Sequence, residues 1–291
     1  MKCEFEEKVF EHEINSILVN KYNSFAPGQV LENKLGFDVA LKITNQYKLS
    51  ELGGSILIIK QPFYANFLQQ YHIPVGEDLN LIQNKIRSLK KKIKFPKIKF
   101  NLFLQYKRPY SVISHKDELW EHWNAPYYKY SITTHQQRAL ESLARNLADK
   151  AIVAYASPIF HTYNELWDCK ENNNLLSKTN FVKAEHLNNH HIYTYDSDRF
   201  GQAFSEKEKI ESFSLEEEIN SLTEKNSLLE YEENIKIISE ICQKILNNDT
   251  NFKTILKRFK ESFNSQPPDP ISFISLFTHL TASNWLVYHE P

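Results

Sequence analysis

Residues Lys99 to Arg108, Lys-Phe-Asn-Leu-Phe-Leu-Gln-Tyr-Lys-Arg, alternate with the period of a pleated strand. Successive side chains of a strand point to opposite sides, so Phe100, Leu102, Leu104 and Tyr106 share one face. Asn101, Phe103, Gln105 and Lys107 share the other. Pro109, which has no N–H to give a sheet, closes the run. Further on, Thr134 to Asp149 carries Leu140, Leu143, Ala144 and Leu147 at helical spacing. Ala151-Ile152-Val153-Ala154-Tyr155-Ala156 then forms a short continuous apolar run, the pattern of a strand buried on both faces. A strand, a helix and a buried strand in this order predict an α/β core.

Upstream, Phe5 to Lys21 reads as a helix with Phe10, Ile14, Ile17 and Leu18 on one side, and Asn23 to Gln29 as a loop holding Pro27 and Gly28. Leu35 to Ile43 reads as a strand with Asp38 inside it. Aspartate is depleted from strand interiors, so its presence there asks for a reason. Ser55 to Ile59 is a second short apolar run. The predicted order is therefore helix, strand, strand, helix, strand, with an insertion at about residues 62–98. Phe160 to Gln202 is mixed. Helical patterns dominate from about Leu215, and Pro267-Pro268 sets off a last apolar segment, Ile271 to Tyr288. Two regions are expected: an α/β domain over residues 1–204 and a helical region over 205–291.

A formal net charge of -1 hides a strong asymmetry. Leu79 to Lys116 contains no Asp or Glu but carries Lys85, Arg87, Lys90, Lys91, Lys92, Lys94, Lys97, Lys99, Lys107, Arg108 and Lys116. Glu206 to Glu233 is acidic, centred on Glu216-Glu217-Glu218. The basic run leads into the Gln105/Lys107 strand, so Lys90, Lys91, Lys92 and Lys94 are candidate phosphate contacts. The acidic, helical C-terminal third would repel nucleic acid and is expected instead to contact a partner protein or a second copy, or to restrain activity.

Hydrolysing a phosphodiester requires a neutralised phosphate, an activated water and both held in line. Magnesium or manganese with oxygen ligands supplies much of this, and a neighbouring lysine can orient the water. A carboxylate on one strand, facing an oxygen ligand and a lysine two residues apart on the next, would suffice.

Asp38 in Gly36-Phe37-Asp38 and Gln105-Tyr106-Lys107 supply that set, and here the chain resembles the PD-(D/E)xK nuclease superfamily over roughly residues 1–160. The resemblance implies a restriction endonuclease-like core (helix, mixed sheet, helix, strand), with Asp38 and Gln105 as metal ligands and Lys107 acting on the water. It also implies a carboxylate from the first helix, for which Glu13 is the choice and Glu32 the competitor. A glutamine on the following helix, Gln136 or Gln137, would sit near the scissile phosphate. Gln105 stands where glutamate is commoner, which removes one negative charge. The 67 positions between Asp38 and Gln105 exceed a tight hairpin, so the basic insertion is expected to fill the gap.

The expected activity is that of a magnesium-dependent nuclease, with DNA rather than RNA as substrate. The chain resembles, less specifically, nuclease subunits of bacterial anti-phage systems. The alternative is a catalytically silent adaptor that keeps the fold to bind nucleic acid or a partner. No window approaches the ~18–20 apolar residues of a membrane span. The charged start lacks the apolar middle of a signal peptide, so a cytoplasmic protein is expected. Cys3, Cys169 and Cys242 lie far apart and read as reduced thiols. His186, His190 and His191 lack metal-site spacing, and the aromatic group Trp120, Trp123, Tyr127, Tyr128 and Tyr130 reads as packing rather than a base-stacking platform.

Overall fold

The computed structural model describes residues 1–22, 24–25, 95–261, 263 and 267–289. Asp38, Glu32, Lys90, Lys91, Lys92 and Lys94 lie outside the described residues, as do the expected strand over Leu35–Ile43 and the apolar run Ser55–Ile59. Among the described residues the chain is α/β, with a mixed sheet, a second antiparallel sheet and seven α-helices.

The mixed sheet has the order β1 (Ser24–Phe25), β10 (Asn284–His289), β2 (Ile98–Tyr106), β5 (Ala151–Pro158), β6 (Thr179–Lys183). Strand β2 runs parallel to β5, with Gln105 opposite Tyr155, and antiparallel to β10, with Leu104 opposite Asn284. Parallel neighbours need a long crossover. Here it includes α2 (Thr134–Leu147), whose Leu140, Leu143 and Leu147 are buried.

The alternation in β2 places two layers of helix on this sheet. Phe100, Leu102, Leu104 and Tyr106 pack with Ile152, Ala154 and Leu286 against α1 (Glu7–Lys21) and α4 (Leu215–Lys225). On the opposite face Phe103, Val153, Tyr155 and Val287 join α2, α5 (Tyr231–Asn248), α6 (Thr250–Glu261) and α7 (Pro270–Thr281) in a second core. Burying one such side chain contributes about 1.5–3 kcal/mol relative to leaving it exposed. β2 is buried on both faces and lies in the middle of the sheet.

The second sheet has the order β3 (Tyr110–Val112), β4 (Tyr127–Ser131), β7 (Ile192–Tyr195), β8 (Phe200–Phe204), β9 (Glu208–Glu211), antiparallel throughout. Tyr130, Tyr193 and Tyr195 point into the core, while Tyr127 faces Trp120 and Trp123. The aromatic group is thus divided between two packing faces. α3 (Tyr163–Glu171) opens with a reciprocal cap in which Thr162 and Glu165 bond each other's backbone.

The boundary expected at 204–205 falls between β8 and β9, two paired strands of one sheet. Residues 205–291 are mainly helical, but they share both cores with residues 1–204 and supply β10 to the mixed sheet.

Candidate functional site

The carboxyl end of β2 brings two of the expected residues, Gln105 and Gln136, into contact. Gln105 is 1% exposed. Its Nε2 donates to Gln136 Oε1 at 3.0 Å and to the Thr281 carbonyl at 2.8 Å, tying the strand to the start of α2 and the end of α7. Gln136 in turn donates to the Leu280 carbonyl at 3.1 Å. The Gln105 Oε1 is buried and accepts no hydrogen bond among the described residues. A sealed acceptor without a donor is costly.

Gln137 is directed elsewhere. Its Nε2 donates to the Ala184 carbonyl at 2.6 Å and its Oε1 accepts from the Tyr155 hydroxyl at 2.6 Å. Both hydrogen bonds lie inside the protein, so Gln137 locks α2 onto β5 and the turn after β6.

Lys107, just beyond the end of β2, is half-buried, with its Nζ 5.5 Å from the centre of the Tyr155 ring. Desolvation lowers its pKa below the ordinary lysine value, opposed by the Glu7 carboxylate. Glu7, in the first turn of α1, is raised by burial, with the Lys107 charge acting against the rise. The pKa values of acid and base are therefore moved toward each other.

Glu13, the expected helix carboxylate, is engaged otherwise. It forms an ion pair with Lys170 of α3 at 2.9 Å. It lies nearly two turns along α1 from Glu7, so its carboxylate serves to fasten α1 to α3. The carboxylate that Lys107 responds to is Glu7, which the sequence reading missed. The apolar stripe of α1 shows which side is buried but not which end meets the end of β2.

The expected neighbour for Gln105 was a strand carrying a carboxylate. Both edges of β2 are occupied, by β10 and by β5. A further carboxylate therefore has to reach Gln105 over the sheet face or past the strand end rather than from an adjacent strand. Among the described residues no group of three or more His, Cys, Asp or Glu is placed to hold a metal ion.

Comparison with protein-family models, curated proteins and solved structures finds no match to this chain. Function therefore has to be argued from the residues themselves.

Proposed function

We propose that the chain hydrolyses phosphodiester bonds of nucleic acid, DNA rather than RNA, in a reaction that depends on magnesium or manganese. The observation that supports this reading is the Lys107–Glu7 pair at the end of β2. Burial weakens the hold of Lys107 on its proton and strengthens that of Glu7. Groups tuned toward each other in this way suit general acid–base work.

The unpartnered Oε1 of Gln105 fits a hard cation, because an amide oxygen with free lone pairs is a competent ligand. In this reading Gln105 and Asp38 would hold the cation, which when bound neutralises the scissile phosphate and acidifies water. Gln136 fixes the Gln105 amide by accepting a hydrogen bond from its Nε2, which leaves Oε1 as the free end. Lys107 supplies positive charge and a transferable proton, and Glu7 accepts or returns it. A defence setting, and a partner protein or second copy meeting the C-terminal helices, belong to the same proposal.

The near-complete burial of Gln105 favours a second reading. In that reading the amides are a structural clasp, and the fold binds nucleic acid or a partner without cutting.

Incubation with plasmid and Mg2+ or Mn2+ separates the two. Cleavage that disappears in Asp38→Ala and in Lys107→Ala, and persists in Glu13→Gln, supports hydrolysis at this site. Cleavage surviving both of the first two changes overturns the assignment, and binding without cleavage establishes the adaptor.

A further inference from the structure

The positive charge of the sequence is not confined to the segment before β2. Helix α6 carries Lys253, Lys257, Arg258 and Lys260 against a single acid, Glu261. Its other side is fixed, because Phe252, Leu256 and Phe259 are buried in the core. At 100° per residue, Lys253, Lys257 and Lys260 fall within one narrow sector, spaced i, i+4 and i+7. All three are exposed.

Neutralisation is sparse along this stripe. Among the described residues Lys253 and Lys260 make no ion pair, and Lys257 has only a 3.8 Å contact with Glu261. Part of the acidic segment is engaged elsewhere: Glu216 pairs with Lys21, Glu218 with Lys183 and Glu230 with Lys97, and Glu208 lies within hydrogen-bond distance of His190. None of these carboxylates pairs with α6, whose four cations face one acid of their own helix. Beside the start of α6 a cleft of about 190 Å3 is lined by Arg138 and Lys244, without ion pairs among the described residues, and by one carboxylate, Asp249. Arg138 follows Gln136 and Gln137 directly on α2, and His135 packs edge-on against Phe252 of α6 at 5.5 Å.

We infer that the Lys253–Lys257–Lys260 stripe is a docking surface for the phosphate backbone of nucleic acid. This rests on the proposed function for the class of partner and adds the surface that holds it. The stripe is about 10 Å long, and that length of duplex carries about six phosphate charges. A lipid surface fits less well, since the apolar side of α6 is sealed in the core and cannot enter a bilayer. The C-terminal region therefore presents an attractive face beside its acidic one, where sequence reading expected repulsion throughout.

The test uses the full chain and a fluorescein-labelled duplex DNA in EDTA, so that binding is read without cleavage. Anisotropy is followed from low to high salt for the wild type and for Lys253→Glu/Lys257→Glu/Lys260→Glu. A control carries Lys178→Glu/Lys207→Glu/Lys225→Glu, and circular dichroism checks that each variant folds. A milder Lys→Gln triple variant serves if the reversal unfolds. We expect the stripe variant to bind at least tenfold more weakly, with the slope of log affinity against log salt reduced by about 2–3. The control should stay near wild type.

Equal losses in stripe and control variants, or an unchanged stripe variant, overturn the inference. So does a stripe variant whose loss appears only in binding to phosphatidylserine vesicles or in salt-sensitive self-association. Failure of the two proposals is distinguishable. DNA bound through the stripe but never cut sinks hydrolysis alone, and cleavage unaffected by the stripe variant sinks the docking surface alone.

Discussion

Gln105→Glu tests the candidate site most directly, because it installs the commoner carboxylate of the resembled motif in a place sealed from water. In the native chain the Gln105 amide nitrogen donates to Gln136 Oε1 at 3.0 Å and to the Thr281 carbonyl at 2.8 Å. A glutamate has no N–H, so at both ends oxygen would meet oxygen. Gln136 is half-buried and can turn to water, but Thr281 is fully buried. Losing the two hydrogen bonds costs about 1 kcal/mol each, and stranding the Thr281 carbonyl about 1–3 kcal/mol more. Burying an unpaired charge adds to this unless the group takes up a proton. A net loss of about 3–5 kcal/mol at neutral pH follows, which for a chain of this size lowers Tm by roughly 6–20 °C.

The pH dependence has a definite sign. Burial raises the proton affinity of the introduced carboxyl in the folded state. Protonated, it recovers a donor toward the Thr281 carbonyl. Its stability is therefore retained below the ordinary glutamate pKa of about 4.3 and lost as pH rises through the higher folded value. Differential scanning calorimetry at pH 5 and pH 7.5, with and without Mg2+, reads both effects. If Oε1 is a cation ligand, Mg2+ should restore more of the variant's Tm than it adds to the wild type. A variant within about 2 °C of wild type at pH 7.5 without metal would refute the argument from burial. A large loss that Mg2+ does not relieve refutes the ligand role and leaves the clasp.

Two other substitutions probe the surroundings. Lys107→Met removes an ammonium that the fold desolvates, so cleavage should vanish while thermal stability at pH 7 holds or rises. Because the folded pKa lies below the ordinary lysine value, wild-type stability should gain as pH rises through it, and a melting series toward pH 10 should show that gain missing from the variant. Asn234→Leu breaks the buried amide pair in which Asn101 and Asn234 each donate to the other at 3.0 Å. A loss of about 1–3 kcal/mol with an unchanged denaturant slope is expected in urea unfolding.

How far the sequence could be read depended on the range of the forces involved. The period of two in Lys99–Arg108 is local, and the two faces of β2 lie as that alternation requires, with Tyr106 reaching Asn15 of α1 on one side and Gln105 reaching Gln136 on the other. α2 and β5 were legible for the same reason. The end of the chain was not. Ile271 to Tyr288 is one apolar stretch by composition, yet it breaks at Ala282, whose φ of 49° ends α7 and sends Asn284–His289 into the sheet as β10. Short apolar runs do not distinguish strand from helix, and pairing between residues some 180 positions apart leaves no local trace.

That long-range pairing also bears on the site. The break that frees β10 to lie beside β2 leaves the Thr281 carbonyl over Gln105. The C-terminal segment is thus both a strand of the sheet and the cover of Gln105. Any loosening of α7 from β10 should expose Gln105 and the neighbouring Gln136 together, since the two amides hold adjacent carbonyls of the same turn. The clasp and the candidate ligand are two ends of one side chain, so covering and function cannot be altered independently at this position.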